Sequence, residues 1–329
     1  MSYLTRPLSI SNLYLHNRLV MPPMATTKSD QNGKVNKEIL SYYDEKSKGG
    51  YIGLIIIEHC YINLQGKVAD RQLSAADDSV IEGLSNLAET IHNNGSKAIV
   101  QINHGGSAVH KGITDHEPVG PSAIANPRTS IIPRELSSEE IKNIVKQFAN
   151  AALRVKAAGF DGVELHSAHG YLLNQFFSPL TNKRTDEYGG DVLKRIKIHL
   201  ETIEAIRRLV GHNFSILVRL GACDYKEGGT TIEDSKIVAR ELAKAGIDIL
   251  DVSGGMNGST IPGVTGQGYF SPLTEALKKV VSIPVILTGG ITDVYAAENL
   301  LSQGKTDLIG VGRAIYKDSR WAQNAMESL

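Results

Sequence analysis

Eight short apolar, β-branched runs are spaced along the chain, at residues 19–21, 53–57, 98–102, 162–165, 215–220, 249–252, 285–287 and 308–311. Most lack the polar–apolar alternation of a half-exposed strand, so burial on both faces is expected, as in a parallel sheet. Between them lie stretches with helical patterning, at 79–93, 138–158, 191–210, 232–245, 271–280 and 294–303. In the first, Ile81, Leu84, Leu87, Ala88 and Ile91 recur at the spacing that puts them on one helix face. The second opens with Ser137 three residues before Glu140, the spacing of a capping box. Gly95, Gly159, Gly246 and Gly304 stand where helices should end, because glycine accepts the left-handed conformation that closes a helix. Eight strand–helix units predict a (β/α)8 TIM barrel rather than a doubly wound open sheet. An open dinucleotide-binding sheet usually carries GxGxxG after an early strand, and this chain has none. Two additions are expected. Residues 8–15 read as an N-terminal hairpin plugging the barrel bottom. Residues 104–136, with Pro118, Pro121, Pro127 and Pro133, read as a long lid after the third barrel strand. The 329 residues suit one such domain, 1–329.

Composition narrows the partners. The chain has 35 Lys and Arg against 35 Asp and Glu, so no basic excess points to nucleic acid or to an anionic membrane. Its two cysteines, Cys60 and Cys223, are too few for a disulfide framework, a four-cysteine zinc site or a four-cysteine iron–sulfur cluster. The longest clean apolar run, at residues 52–57, is far too short to span a bilayer. The first ten residues lack the apolar stretch and cleavage pattern of a signal peptide. These features predict a soluble cytoplasmic protein with a small-molecule partner; a homo-oligomer is left open.

Barrel active sites lie at the C-terminal strand ends. Gly289 and Gly290, paired with Gly312 and Arg313, form one candidate piece there. Small residues let backbone N–H groups approach a phosphate and arginine adds charge, whereas the competing reading is tight turns only. His166 and His169, two residues before Tyr171, form a second. As a metal pair they would need further ligands and an open position, and no acidic set supplies them, so no metal is assigned. They could bond loop carbonyls, or act as neutral donors to a substrate oxygen with Tyr171 as the acid. Gln101 and Arg219 form a third piece, suited to hydrogen-bonding a planar polar ring. The alternative for Arg219 is an ion pair with a barrel carboxylate such as Glu164.

Longer phrases carry a resemblance. "LHNRLVMPPM" at 15–24, "QINHGG" at 101–106, "AGFDGVELHSAHGYLLNQFFSP" at 158–179, "NKRTDEYGG" at 182–190 and "DLIGVGRAIYKD" at 307–318 follow one another in order. In these the chain resembles the old yellow enzymes, FMN-dependent ene-reductases on a TIM barrel. The resemblance implies FMN as cofactor and NADPH or NADH as reductant. It implies that Pro23, Met24 and Ala25 lie along the flavin, that Gln101 and Arg219 face its pyrimidine part, and that the backbone of His59 meets it. Gly255, Gly289, Gly290, Gly312 and Arg313 are implied to hold the phosphate. His166 and His169 match the pair that binds a substrate carbonyl oxygen, and Tyr171 the proton donor. The implied reaction reduces the activated C=C of an α,β-unsaturated carbonyl compound (enone or enal). An FMN-dependent amine or alcohol dehydrogenase of the same barrel is the alternative, and a metal-dependent barrel hydrolase or lyase a more distant one. The chain departs from the family's usual pattern at three places. Ala25 stands where Cys or Thr is usual, His59 where a small residue is common, and Ser107 where Arg often follows "HxG".

Overall fold

A computed structural model describes residues 2–110 and 112–329. Strands β1 (Leu8–Ile10) and β2 (Leu13–Leu15) form an antiparallel hairpin, with Leu8 opposite Leu15 and Ile10 opposite Leu13. The barrel begins with β3 (Leu19–Met21), β4 (Leu54–Tyr61) and β5 (Lys97–Asn103). Strands β6 (Val119–Gly120) and β7 (Arg134–Glu135) pair with each other inside the long segment that follows. The barrel resumes with β8 (Gly162–Ser167), β9 (Ser215–Gly221), β10 (Ile249–Ser253), β11 (Val285–Thr288) and β12 (Leu308–Gly310). All eight of its strands are parallel, and β12 closes onto β3. The expected (β/α)8 barrel is the observed fold.

Strand periodicity sorts the barrel into layers, because alternate side chains face opposite sides. At the strand starts Val20, Leu54, Ile56, Ile99, Leu217, Ile249, Ile286 and Leu308 face inward, and Ile10, Leu13 and Leu15 of the hairpin pack onto them. The hairpin is thus the expected plug. Two residues farther along, the inward positions turn polar: Ile99 gives way to Gln101, Leu217 to Arg219 and Ile249 to Asp251. The outward positions, such as Val100, Val163, Val218, Leu250 and Leu287, join the helices in one continuous apolar core.

The helices mostly follow the expected pattern. Ser138–Ala157 carries the full capping box between Ser137 and Glu140. Gly95, Gly159, Gly246 and Gly304 all have positive φ. Beyond two short helices, Arg313–Lys317 and Trp321–Glu327, that the pattern does not show, three points differ. The expected helix 191–210 breaks at Ile196, giving Val192–Arg195 and Lys197–Val210. Helix Lys37–Ser47 escaped the pattern because its face is sparse, with Ile39 and Tyr43 its only buried apolar residues. Helix Leu172–Phe177 is buried on every side, which leaves no amphipathic period to read. Among the described residues no helix is long and apolar enough to cross a membrane.

Candidate active site

The polar layer opens into a cavity of about 290 Å³ at the C-terminal strand ends. Its first wall is Pro22, Pro23, Met24 and Ala25, in the loop after β3. Buried Glu58 anchors that loop by accepting the Thr26 N–H at 2.9 Å and the Thr26 hydroxyl at 2.6 Å.

The floor carries Gln101 and Arg219. Gln101 Nε2 donates to Glu164 Oε1 at 2.8 Å. Arg219 does pair with a barrel carboxylate, the alternative expected for it, but the partner is Asp251, whose Oδ2 lies 3.2 Å from Nε, and not Glu164. Register explains the exchange, since Asp251 lies beside Arg219 on the next strand while Glu164 lies beside Gln101. Burial pushes both carboxyl pKa values up, that of Asp251 to about 6 and that of Glu164 well above the usual range, where repulsion from Asp251 adds to it. Arg219 Nε keeps no aligned hydrogen-bond partner.

A cluster of rings forms the next wall. The ring centroids of His166 and His169 are 5.0 Å apart, and Tyr171 lies 4.8 Å from His166. His169 has φ of 59°, a conformation that side chains beyond glycine seldom adopt and that concentrates at functional sites. It is held there from both ends: its Nε2 is 2.7 Å from Ser253 Oγ, and Arg128 donates to its carbonyl. Burial lowers the pKa of both imidazoles well below the ordinary value, with repulsion from Arg219 and Arg128 acting in the same direction. Both are therefore neutral at pH 7. Burial raises the Tyr171 pKa, so the hydroxyl keeps its proton.

His59 enters the same cavity through a bulge. Register slips between Ile57 and Cys60, so two residues of β4 oppose one of β5. Periodicity alone would have ended this strand at residue 57, and the slip carries it on to Tyr61. The His59 ring stands 5.5 Å from Tyr171 and 6.2 Å from His166.

On the far side lie Gly289, Gly290, Gly312 and Arg313. Gly290 has φ of +69°, and a Cβ there would meet Gly266 O at 2.7 Å and the Tyr269 ring at 2.8 Å, so only glycine fits. Exposed Arg313 reaches Tyr269 Oη at 3.3 Å and forms no ion pair with a carboxylate among the described residues. Gly255 does not line the cavity. It packs against Asp224, where a Cβ would come within 2.1 Å of Oδ1, and this corrects its expected place in the phosphate corner. Asp224 itself accepts from Met256 N, Thr230 N and Ser178 Oγ, so Gly255 permits a loop anchor rather than contributing to the wall.

Every other expected site residue lines the cavity. Ser253, Ser259, Tyr269, Phe270 and Thr288 line it too and were not foreseen. Ser253 and Thr288 end their strands facing inward and were legible from strand parity. Ser259, Tyr269 and Phe270 come from a loop without a motif. Among the described residues no group of three His, Cys, Asp or Glu could hold a metal ion.

FMN fits these walls on two counts. Thr288 Oγ1 is a buried, unpartnered polar atom of the lining, and Arg219 Nε, though ion-paired with Asp251, has no aligned hydrogen bond, so a polar ligand would satisfy both. The glycine corner, where Gly290 admits no Cβ and exposed Arg313 has no carboxylate partner among the described residues, suits a phosphate.

Known proteins agree. A family model described as NADH:flavin oxidoreductase / NADH oxidase matches residues 3–329. An NADH oxidase of Thermoanaerobacter brockii is 42% identical over 324 residues, covering 97% of this chain and 50% of that protein. An NADPH dehydrogenase of Clostridium acetobutylicum is 39% identical over 312 residues, covering 94% and 90%. The solved structure of a 2-naphthoyl-CoA reductase superposes with a TM-score of 0.94 at 29% identity, covering 99% of this chain and 52% of that one. The chain spans about half the length of the curated relatives it matches first.

Proposed function

Because the chain belongs to the NADH:flavin oxidoreductase / NADH oxidase family, that of the old yellow enzymes, we propose that it is an FMN-dependent NAD(P)H oxidoreductase that reduces the activated C=C of α,β-unsaturated carbonyl compounds. We take the barrel as its FMN-binding unit. Gln101 and Arg219 would hold the ring, with Pro23, Met24 and Ala25 along it. Gly289, Gly290, Gly312 and Arg313 would hold the phosphate. FMN bound in this way supplies the hydride, drawn from NADH or NADPH.

The observation that carries the reading is the neutral imidazole pair beside a protonated tyrosine in one cavity wall. His166 and His169 donate N–H groups to the carbonyl oxygen, where negative charge grows as the double bond is reduced. Donors fixed in place before the reaction favour that charge without reorganising. Ser253 fixes the His169 ring by a 2.7 Å hydrogen bond at Nε2, which leaves Nδ1 for a ligand. Tyr171 keeps its proton at neutral pH and delivers it to the α-carbon.

Steady-state turnover tests this reading against the dehydrogenase alternative. With FMN loaded, 2-cyclohexenone should drive consumption of NADH or NADPH. Oxidation of amines or alcohols without enone reduction would assign the site to the alternative.

A further inference from the structure

We propose that His59 is a third hydrogen-bond donor of the substrate site, and that it selects unsaturated carbonyl compounds carrying a second acceptor oxygen. The inference rests on the enone reading above and names its substrate class more closely.

The bulge comes first. Along β4, Leu54 and Ile56 face into the barrel while Ile55 and Ile57 face the helices. Unbroken alternation would turn residue 59 outward as well. The slip after Ile57 instead sends Glu58 to the Thr26 loop and His59 into the cavity.

A chain of hydrogen bonds then sets the proton. Gln72 Oε1 accepts the Val68 N–H at 2.8 Å, so the Gln72 NH2 group must face His59. That group donates to His59 Nδ1 at 2.9 Å and to the His59 carbonyl at 3.1 Å. Nδ1 is therefore an acceptor, and a neutral ring carries its hydrogen on Nε2. Burial keeps the ring neutral, with a pKa lowered to about 4. Among the described residues Nε2 has no partner, and His59 is part of the cavity lining.

Lone pairs decide what this N–H meets. A carbonyl oxygen has two, and His166 with His169 uses both. A third donor needs another acceptor. Its place beside Tyr171 puts that acceptor on the tyrosine side of the substrate, so a conjugated dicarbonyl compound such as an ene-1,4-dione satisfies all three imidazoles. A plain enone leaves His59 unmatched.

The test compares 2-cyclohexene-1,4-dione with 2-cyclohexenone on the FMN-loaded enzyme, using wild type, H59A and H59Q. The readout is the ratio of the two kcat/KM values. A second readout is calorimetric binding of cyclohexane-1,4-dione against cyclohexanone. H59A should lower the dione preference about tenfold in both, and H59Q, which keeps a side-chain donor, should recover part of it. H59F, an aromatic ring without a donor, replaces H59A if the latter loses flavin. A preference unchanged on removal of the donor overturns the proposal. If wild type turns over neither compound, the enone reading falls, and the calorimetric ratio still decides the role of His59.

Discussion

Acid should destabilise this protein through its buried imidazoles, and the size of the effect can be worked out. His59 has a pKa lowered to about 4, and His104 and His199 to about 3, each chiefly by burial. Hydrogen bonds to neighbours hold all three rings in place: His59 Nδ1 accepts from Gln72, His104 Nδ1 accepts the Gly106 N–H, and His199 Nε2 lies 2.7 Å from Ser167 Oγ. In the unfolded chain each would titrate near 6.5. The folded pKa lies below the unfolded one, so the unfolded state binds more protons between those values. Stability is therefore full above about pH 6.5 and falls as the pH drops. From pH 7 to pH 5 each ring costs about 2 kcal/mol. His166 and His169 act in the same direction. Asp251 and Glu164 oppose it, since their raised folded values favour acid. Asp251, at about 6, returns about 1 kcal/mol over the same interval. For the three rings and Asp251 together the loss is on the order of 5 kcal/mol. Urea unfolding of the FMN-loaded protein at pH 7 and pH 5 measures it. A midpoint that stays the same or rises at pH 5 would refute the burial of neutral imidazoles on which the site depends.

Three further outcomes follow from named contacts. Tyr171→Phe should slow the enone half-reaction by about 10²- to 10⁴-fold more than the NAD(P)H half-reaction, as stopped-flow absorbance would record; equal effects on both would remove Tyr171 as the acid. Arg313→Ala should weaken FMN binding about tenfold, measured by flavin fluorescence on dilution, because it deletes a charged donor at the glycine corner. Leu15→Ala should cost about 3 kcal/mol in chemical unfolding, since this fully buried side chain seals the barrel floor.

The barrel was legible because each of its parts has a local signature. Buried parallel strands read as apolar runs, and helix ends read as glycines with positive φ. The candidate site was legible in part for the same reason: strand ends in a barrel all point to one place. What escaped notice depended on departures from regularity or on distant partners. The bulge at Glu58 and His59 breaks the period that made β4 readable. The Arg219–Asp251 pair needs strand register, which no single run contains. Only the family resemblance puts Gly255 at the phosphate corner, whereas the contact that requires a glycine there is the close approach of Asp224. Ser259, Tyr269 and Phe270 reach the cavity from a loop whose path depends on tertiary packing.

The most direct test of the central claim is an anaerobic visible spectrum of the purified protein, recorded before and after NADH or NADPH and again after 2-cyclohexenone. The account predicts an oxidised flavin absorption that the nicotinamide bleaches and the enone restores, with cyclohexanone formed in step. A protein that binds no FMN, or whose reduced flavin is not reoxidised by the enone, would contradict it.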